Sequence, residues 1–199
     1  LYSDIDLVIY GKRELKELRS TLSKLYDDGA LTNEFEDWTV SMPPAHWNFE
    51  NYSKEEYGWH QRRKLVYATY ASKSLGRTIK VEFELVRKWD EIDNEYYGTK
   101  RIENLGRVEA IVEILSGEEA GFIPSVYPVE VKKIETTIER RDLRRVVSYV
   151  EEFRLQLETG ETALVRGNLE RVEAEDGEFY QIVLSQGSDY FDQVLKLRA

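Results

Sequence analysis

Two aspartates near the start of the chain, Asp4 and Asp6, are spaced so that they can act together on one ligand. They lie in residues 2–11, an alternating apolar run that predicts a β-strand. Alternate side chains of a strand share a face, so both carboxylates project the same way, about 7 Å apart. Such a pair predicts a hard divalent cation, Mg²⁺ or Mn²⁺, which takes carboxylate oxygens and leaves positions for phosphate and water. The alternative is a solvated strand face that carries two aspartates.

A second group of candidate binding residues is the basic segment 59–64, which contains Arg62, Arg63 and Lys64. Guanidinium groups bind phosphate oxygens in bidentate fashion, and an aromatic ring can stack on a base. The alternative is a helix with one solvated basic face and one aromatic core face. The two histidines, His46 and His60, have no metal-ligand spacing with cysteine, because the chain has none. The aromatic residues around the segment are Trp47, Tyr52, Tyr57, Tyr67 and Tyr70.

Residues 3–11, with the sequence SDIDLVIYG, resemble the metal-binding strand of the polymerase β-like nucleotidyltransferase superfamily. The YG at 10–11 and the VRKW at 86–89 resemble the archaeal two-domain members of that superfamily. The resemblance implies that Asp4 and Asp6 hold a divalent metal, that the metal binds a nucleoside triphosphate, and that Ser3 belongs to the cofactor-binding residues. The superfamily's Gly-Ser turn would precede Leu1, so we expect this sequence to be a fragment.

The same resemblance implies a third carboxylate on a neighbouring strand, which completes the metal site and helps to take the proton from an attacking hydroxyl. Segment 78–86 alternates strictly between apolar and polar residues and predicts such a strand. Glu82 and Glu84 are the candidates, because both lie on its polar face. The sequence does not choose between them, although we slightly favour Glu82. The alternative is that both are solvent-facing charges beside Lys80.

The first half of the chain reads as a mixture of helix and strand. Leucines at spacings of three and four predict an amphipathic helix over 12–28, and Ser53 with Glu56 forms a capping-box pattern before a second helix. Residues 30–39 are expected to form a short helix or turn, and 89–97 a short helix or linker. We expect the strands at 4–9 and 79–86 to be neighbours in one sheet, with the helix leucines packed on its apolar face. These leucines are Leu15, Leu18 and Leu22.

The second half of the chain has an all-β pattern. Five strand-like runs are separated by turn signals at 116–117, 159–160 and 175–177. Asp176-Gly177 between two alternating runs is a hairpin signal. Five strands over this length predict a small closed barrel, OB-like in size and strand count. The runs are 106–115, 122–134, 146–157, 163–174 and 178–185.

Two groups of barrel residues could contact nucleic acid. Aromatic side chains could stack on single-stranded bases, although we favour the alternative that they are core. The basic run 140–145 could contact a phosphate backbone, or it could be a solvated loop, which we favour. The aromatic residues are Tyr127, Tyr149, Phe153, Phe179 and Tyr180, and the basic ones are Arg140, Arg141, Arg144 and Arg145.

Composition limits the class of protein. The 199 residues are 41% hydrophobic and carry a net charge of −10, divided into −2 for residues 1–101 and −8 for the rest. That balance argues against a broad electrostatic surface for nucleic acid. The absence of cysteine excludes disulfides and thiolate sites. No apolar run is long enough for a membrane span, and no signal peptide is visible, so we expect a cytoplasmic protein without a membrane partner.

The sequence therefore predicts an α+β protein. Residues 1–101 are expected to form a nucleotidyltransferase-like domain with a mixed sheet, and residues 102–199 a five-stranded OB-like β-barrel. The expected function is metal-dependent transfer of a nucleotidyl group from a nucleoside triphosphate such as ATP to an acceptor hydroxyl. The acceptor is left open among nucleic acid, protein and small molecules. The alternative is a catalytically inactive protein that keeps the fold and binds nucleotide or nucleic acid.

Overall fold

The computed structural model describes residues 4–33, 35, 51–64, 66–92, 100–135, 142–175, 177–187 and 190–198. The chain divides into two compact units. The N-terminal unit consists of Leu1–Trp47 and Tyr52–Ile92, and the barrel unit consists of Asn48–Asn51 and Asp93–Ala199. Each unit has its own sheet and its own buried apolar side chains.

The described part of the N-terminal unit combines a four-stranded mixed sheet with two helices. The strand order is β1-β4-β3-β2, so β1 is an edge strand. β1 pairs with β4 in parallel, whereas the pairs β4–β3 and β3–β2 are antiparallel. The prediction that the first strand and segment 79–86 are neighbours in one sheet is confirmed. The elements are β1 (Ile5–Tyr10), α1 (Lys12–Asp27), β2 (Thr32–Asn33), α2 (Lys54–Arg63), β3 (Tyr67–Ser72) and β4 (Arg77–Val86).

The core of the N-terminal unit comes from the two periodicities seen in the sequence. Alternation along β4 buries three side chains of its apolar face, and the 3.6-residue period of α1 buries Leu15 and Leu22. Leu18 is half-buried. The charged residues of β4 therefore lie on the opposite face of the strand. The three buried residues of β4 are Val81, Phe83 and Leu85.

One short strand of this sheet, β2, differs from the sequence-based expectation, and a second, β3, was not predicted. Residues 30–39 were expected to form a helix or turn, but Thr32 and Asn33 pair with Thr69 and Ala68 as β2. β3 itself has no apolar alternation, because the residues that it buries are the small Ala68 and Ser72. Tertiary pairing with β4 therefore decides these elements, not local sequence preference.

Tyr26 near the end of α1 gives a test of this packing. Its hydroxyl donates to the carbonyl oxygen of Tyr67 at 2.8 Å, and burial raises the pKa of Tyr26 to about 12. A raised pKa means that the contribution of the buried neutral phenol to stability is complete below pH 10 and decreases as the pH rises towards 12. We expect an ultraviolet difference titration against Tyr26→Phe to show one phenol that ionises near 12. Ionisation near 10 would contradict the burial.

Among its described residues, the barrel unit has six strands, five of which form a closed barrel. Each of these five strands has two barrel neighbours, in the cyclic order β8-β5-β6-β7-β9-β8, and β10 adds to the edge of β8. Four of the five contacts are antiparallel, and β7–β9 is parallel. The predicted closed five-stranded barrel is confirmed. The strands are β5 (Arg101–Ile114), β6 (Ser125–Ile134), β7 (Leu143–Ser148), β8 (Thr162–Ala174), β9 (Gly177–Leu184) and β10 (Val194–Leu197).

The predicted strand 146–157 is wrong beyond Ser148. The Ser148 hydroxyl donates to the carbonyl oxygen of Val150 and accepts from its amide, both at 3.1 Å, so a local turn replaces the strand ladder. A short 3₁₀ helix, Glu151–Phe153, follows. The apolar residues that suggested a strand are buried in this irregular segment instead.

Gly167 lies where β8 changes its partner along one edge. The residues before it pair with β10, and the residues after it pair with β9. A Cβ atom at Gly167 would lie 2.7 Å from the carbonyl oxygen of Val183 and 2.7 Å from Cδ2 of Leu184. The close approach of β9 to β8 therefore requires a residue without a side chain at this position.

Candidate metal centre

The pairing register of β1 with β4 places two predicted ligands side by side. Asp6 is the direct partner of Glu82, and adjacent strands are about 4.8 Å apart. Asp4 precedes β1 by one residue and shares the face of Asp6. Asp4 and Asp6 are exposed and Glu82 is half-buried. One face of the sheet therefore carries Asp4, Asp6 and Glu82 close together and within reach of solvent, and Glu84 and Lys80 of β4 lie on the same face.

The same register separates the two candidates for the third carboxylate. Glu84 is the partner of Val8, two residues further along β1 than Asp6. Glu82 is thus the glutamate directly beside Asp6. Within the described residues, no three His, Asp or Glu side chains are grouped so that they could hold a metal ion. Metal binding at this face stays a prediction, and Ser3 lies outside the described residues.

A cluster of polar contacts lies at the far end of the same two strands. We call Gly11, Lys12, Glu14, Lys88 and Glu91 the Glu91 cluster. The Lys12 amide donates to both oxygens of the Glu91 carboxylate, at 3.0 and 3.1 Å. The Lys88 amide donates to the same carboxylate at 3.1 Å. The first backbone amide of α1 is thus capped by a residue from the segment after β4, which is a favourable position for a negative charge.

The Glu91 cluster also contains an ion pair. The Lys88 ammonium donates to Oε1 of Glu14 at 2.5 Å. This hydrogen bond lowers the pKa of Glu14 and raises the pKa of Lys88. Because the pKa of Glu14 is lowered, the pair contributes stability above the ordinary pKa of a glutamate and loses it as the pH falls through the lowered value. The contribution is screened, since both side chains are partly exposed.

The basic side chains at the end of α2 are more buried than we would expect for residues that bind phosphate. The predicted capping box is present, with the Ser53 hydroxyl and the Glu56 side chain each accepting from the other residue's amide. Arg62 donates to the carbonyl oxygen of Phe35 at 3.2 Å, and the Arg63 guanidinium lies 4.5 Å from the Trp59 ring centre. Both arginines are half-buried.

Lys64 has no exposed surface at all, and the two residues at 60 and 61 are also buried. His60 is in edge contact with the Tyr52 ring, at a centroid distance of 6.0 Å. The aromatic residues of this region are thus partly core, although Tyr70 is exposed. Of the three predicted cations, Arg62 and Arg63 retain surface for a phosphate. His46 and Trp47 lie outside the described residues.

Most of the barrel aromatics are core residues, which is the alternative that the sequence favoured. Tyr127 is fully buried, and its hydroxyl donates to the carbonyl oxygen of Phe153 at 2.6 Å and accepts from the Gln156 amide at 3.0 Å. Phe153 and Phe179 are buried as well, whereas Tyr149 is exposed. Tyr180 is half-buried and its hydroxyl donates to Glu178.

The basic run beside the barrel is partly engaged with the barrel surface. The guanidinium carbons of Arg144 and Arg145 lie 4.9 and 5.1 Å from the Phe179 ring centre. Arg145 also donates to the Gln181 side chain at 2.9 Å. Arg140 and Arg141 lie outside the described residues. Arg144 is the exposed member of the described pair.

Comparison with known proteins identifies one relative. The chain is 31% identical over 199 residues to the uncharacterized protein MJ1086 of the archaeon Methanocaldococcus jannaschii. The match covers 98% of this chain and 54% of the relative, so the chain spans about half the length of the protein that it resembles. No protein-family model matches the chain, and no solved structure matches it.

Neither α1 nor α2, the helices in the described part of the chain, has the length and apolar character that crossing a membrane requires.

Proposed function

We propose that the N-terminal unit is a nucleotidyltransferase-like domain that transfers a nucleotidyl group from a nucleoside triphosphate to an acceptor hydroxyl. The observation that carries the proposal is the parallel register of β1 and β4, with Asp6 beside Glu82 and Asp4 on the same face. Three like charges on adjacent positions repel one another. A cation that binds all three would remove this repulsion.

The three carboxylates have the donor chemistry that Mg²⁺ or Mn²⁺ requires, which is oxygen ligands on open positions. Asp4 and Asp6 would hold the cation, with Glu82 as the third ligand. When bound, the cation would supply charge neutralisation at the phosphates. Glu82 would also accept the proton of the attacking hydroxyl, which is the role of a positioned general base. Arg62 and Arg63 would contact phosphate oxygens from α2.

The barrel unit would recognise or orient the acceptor and not the nucleotide. Nucleoside triphosphates are anionic, and the second half of the chain carries a net charge of −8. A closed five-stranded barrel of this size is OB-like, and such barrels bind oligonucleotides and oligosaccharides. If the acceptor is a nucleic acid, Arg144, the exposed described residue of the predicted basic run, would contact its backbone.

The second candidate is an inactive protein that keeps the fold and binds nucleotide or nucleic acid. A specific observation favours it: the third carboxylate is a glutamate, whereas the resemblance leads us to expect a shorter aspartate there. The two functions differ in turnover, not in binding.

The test is incubation with labelled nucleoside triphosphates, Mg²⁺ or Mn²⁺, and candidate acceptors, with Asp4→Asn/Asp6→Asn as the negative control. We expect a covalently labelled acceptor that the double variant does not form. Metal-dependent nucleotide binding without any labelled acceptor would favour the inactive protein. The absence of both binding and transfer would overturn the proposal.

A further inference from the structure

Burial holds β1 in the sheet only weakly. It is an edge strand whose one described partner is β4. Apolar side chains are exposed on both of its faces, with 41% exposure for Ile5, 43% for Leu7 and 65% for Val8, and Ile9 is half-buried. A shift of β1 by two residues would keep every side chain on its face, so the burial pattern does not exclude that shift. It would, however, move Asp6 away from Glu82.

The Glu91 cluster supplies the missing constraint on the register. The Gly11 amide donates to the carbonyl oxygen of Val86 at 2.8 Å, which continues the β1–β4 pairing past the end of both strands. The Glu91 carboxylate then joins the amide of Lys12 to the amide of Lys88. The start of α1 and the segment after β4 are thus connected through one side chain. A two-residue shift of β1 would break all of these contacts.

Gly11 allows this arrangement because it has no side chain. Its φ of +124° is a conformation that side chains rarely permit. A Cβ atom there would lie 2.3 Å from Oε2 of Glu14 and 2.7 Å from Cε of Lys88. The Lys88 side chain therefore occupies the space beside Gly11, and its ammonium group contacts Glu14. The backbone conformation at residue 11 and the Lys88–Glu14 ion pair therefore both require glycine at this position.

We propose that Glu91 is a positioning residue for the carboxylate face: it fixes β1 against β4 and thereby keeps Asp6 beside Glu82. The expected effect on metal affinity rests on the proposed function. The expected effect on the register of β1 against β4 does not. Glu91 itself lies at the opposite end of the strands from Asp4. Its effect on a bound metal would therefore be transmitted by the strand register, not by contact.

The test compares Glu91→Ala with wild type in two measurements, calorimetric titration with Mn²⁺ and hydrogen exchange of the β1 amides. Loss of a residue that only supports a metal ligand lowers affinity by about 10–100-fold. We expect at least a ~10-fold weaker Mn²⁺ affinity together with faster exchange in β1, and unchanged exchange in the β3–β4 pair. The control is Glu17→Ala, an exposed glutamate of α1 that pairs with Arg13 and lies outside the cluster.

Unchanged exchange in β1 of Glu91→Ala would overturn the proposal. Slower folding or a lower melting temperature with unchanged Mn²⁺ affinity would also overturn it, because that result indicates a purely structural role. If wild type itself binds no Mn²⁺, the proposed function fails, and the exchange measurement alone decides whether Glu91 sets the register. Glu91→Gln, which keeps one acceptor oxygen, is the variant to use if the alanine variant does not fold.

Discussion

Asp4→Asn/Asp6→Asn is expected to abolish Mn²⁺ binding by this protein while its fold stays intact. Asn has nearly the size and shape of Asp, so the change removes two negative charges without opening space. Both aspartates are exposed on the β1–β4 sheet, and the variant leaves no buried group unpaired. Loss of a residue that merely supports a metal ligand already lowers affinity by about 10–100-fold. Removal of the two proposed ligands should therefore exceed that range in a calorimetric titration.

The matched control is Asp27→Asn/Asp28→Asn. These two aspartates are exposed at the end of α1, in the same unit but not on the β1–β4 pair. The control removes the same formal charge, so it separates a local site from a general effect of net charge. We expect the control to bind Mn²⁺ like wild type. Equal Mn²⁺ affinity in the Asp4/Asp6 variant and in wild type would contradict the assignment.

Gly167→Ala is expected to destabilise the barrel unit by about 1–3 kcal/mol, the usual range for an added group in a well-packed interior. The added Cβ would meet a backbone atom, the carbonyl oxygen of Val183, and not only movable side chains. Relief would require β9 to move away from β8, which breaks the adjacent pair Asn168–Val183. We expect a lower urea midpoint with an unchanged slope.

The control for this change is Gly187→Ala, because a Cβ at Gly187 would meet nothing within 4 Å. All four tryptophans, at positions 38, 47, 59 and 89, belong to the N-terminal unit, so their fluorescence reports that unit alone. Circular dichroism follows both units. A shift of the dichroism transition without a shift of the fluorescence transition would place the effect in the barrel. Equal midpoints for Gly167→Ala and Gly187→Ala would rule out the steric argument.

The sequence predicts those elements whose side chains carry a strong period. The leucines of α1, the alternation of β4 and the capping box of α2 each give the element that the structure contains. The pairing of the first strand with β4 is expected from the resemblance, which implies a third carboxylate on a neighbouring strand, because alternation alone does not specify which strands pair. The barrel is predicted from its turn signals and its five runs.

The sequence does not predict features that depend on distant partners. β3 buries Ala68 and Ser72, which carry no hydrophobic signal, and β10 is only four residues long. The burial of Lys64 depends on how α2 packs, which its own neighbours in sequence do not specify. The Glu91 cap on α1 joins residues 79 positions apart. Such contacts follow from the assembled sheet, and no local pattern indicates them.

The parallel pair β7–β9 has a consequence for how fast the barrel can form. The β8–β9 hairpin brings together residues that are close in sequence, Ala174 and Gly177, and hairpins form in about 1–10 μs. The β7–β9 pair joins Leu143 to Tyr180, across the whole of β8. Closure of that larger loop loses chain entropy before any new pair forms, and non-local pairing of this kind slows folding. We therefore expect the β8–β9 hairpin to form before the β7–β9 contact, and before the β5–β8 pair, whose nearest partners, Glu113 and Thr162, are still further apart in sequence.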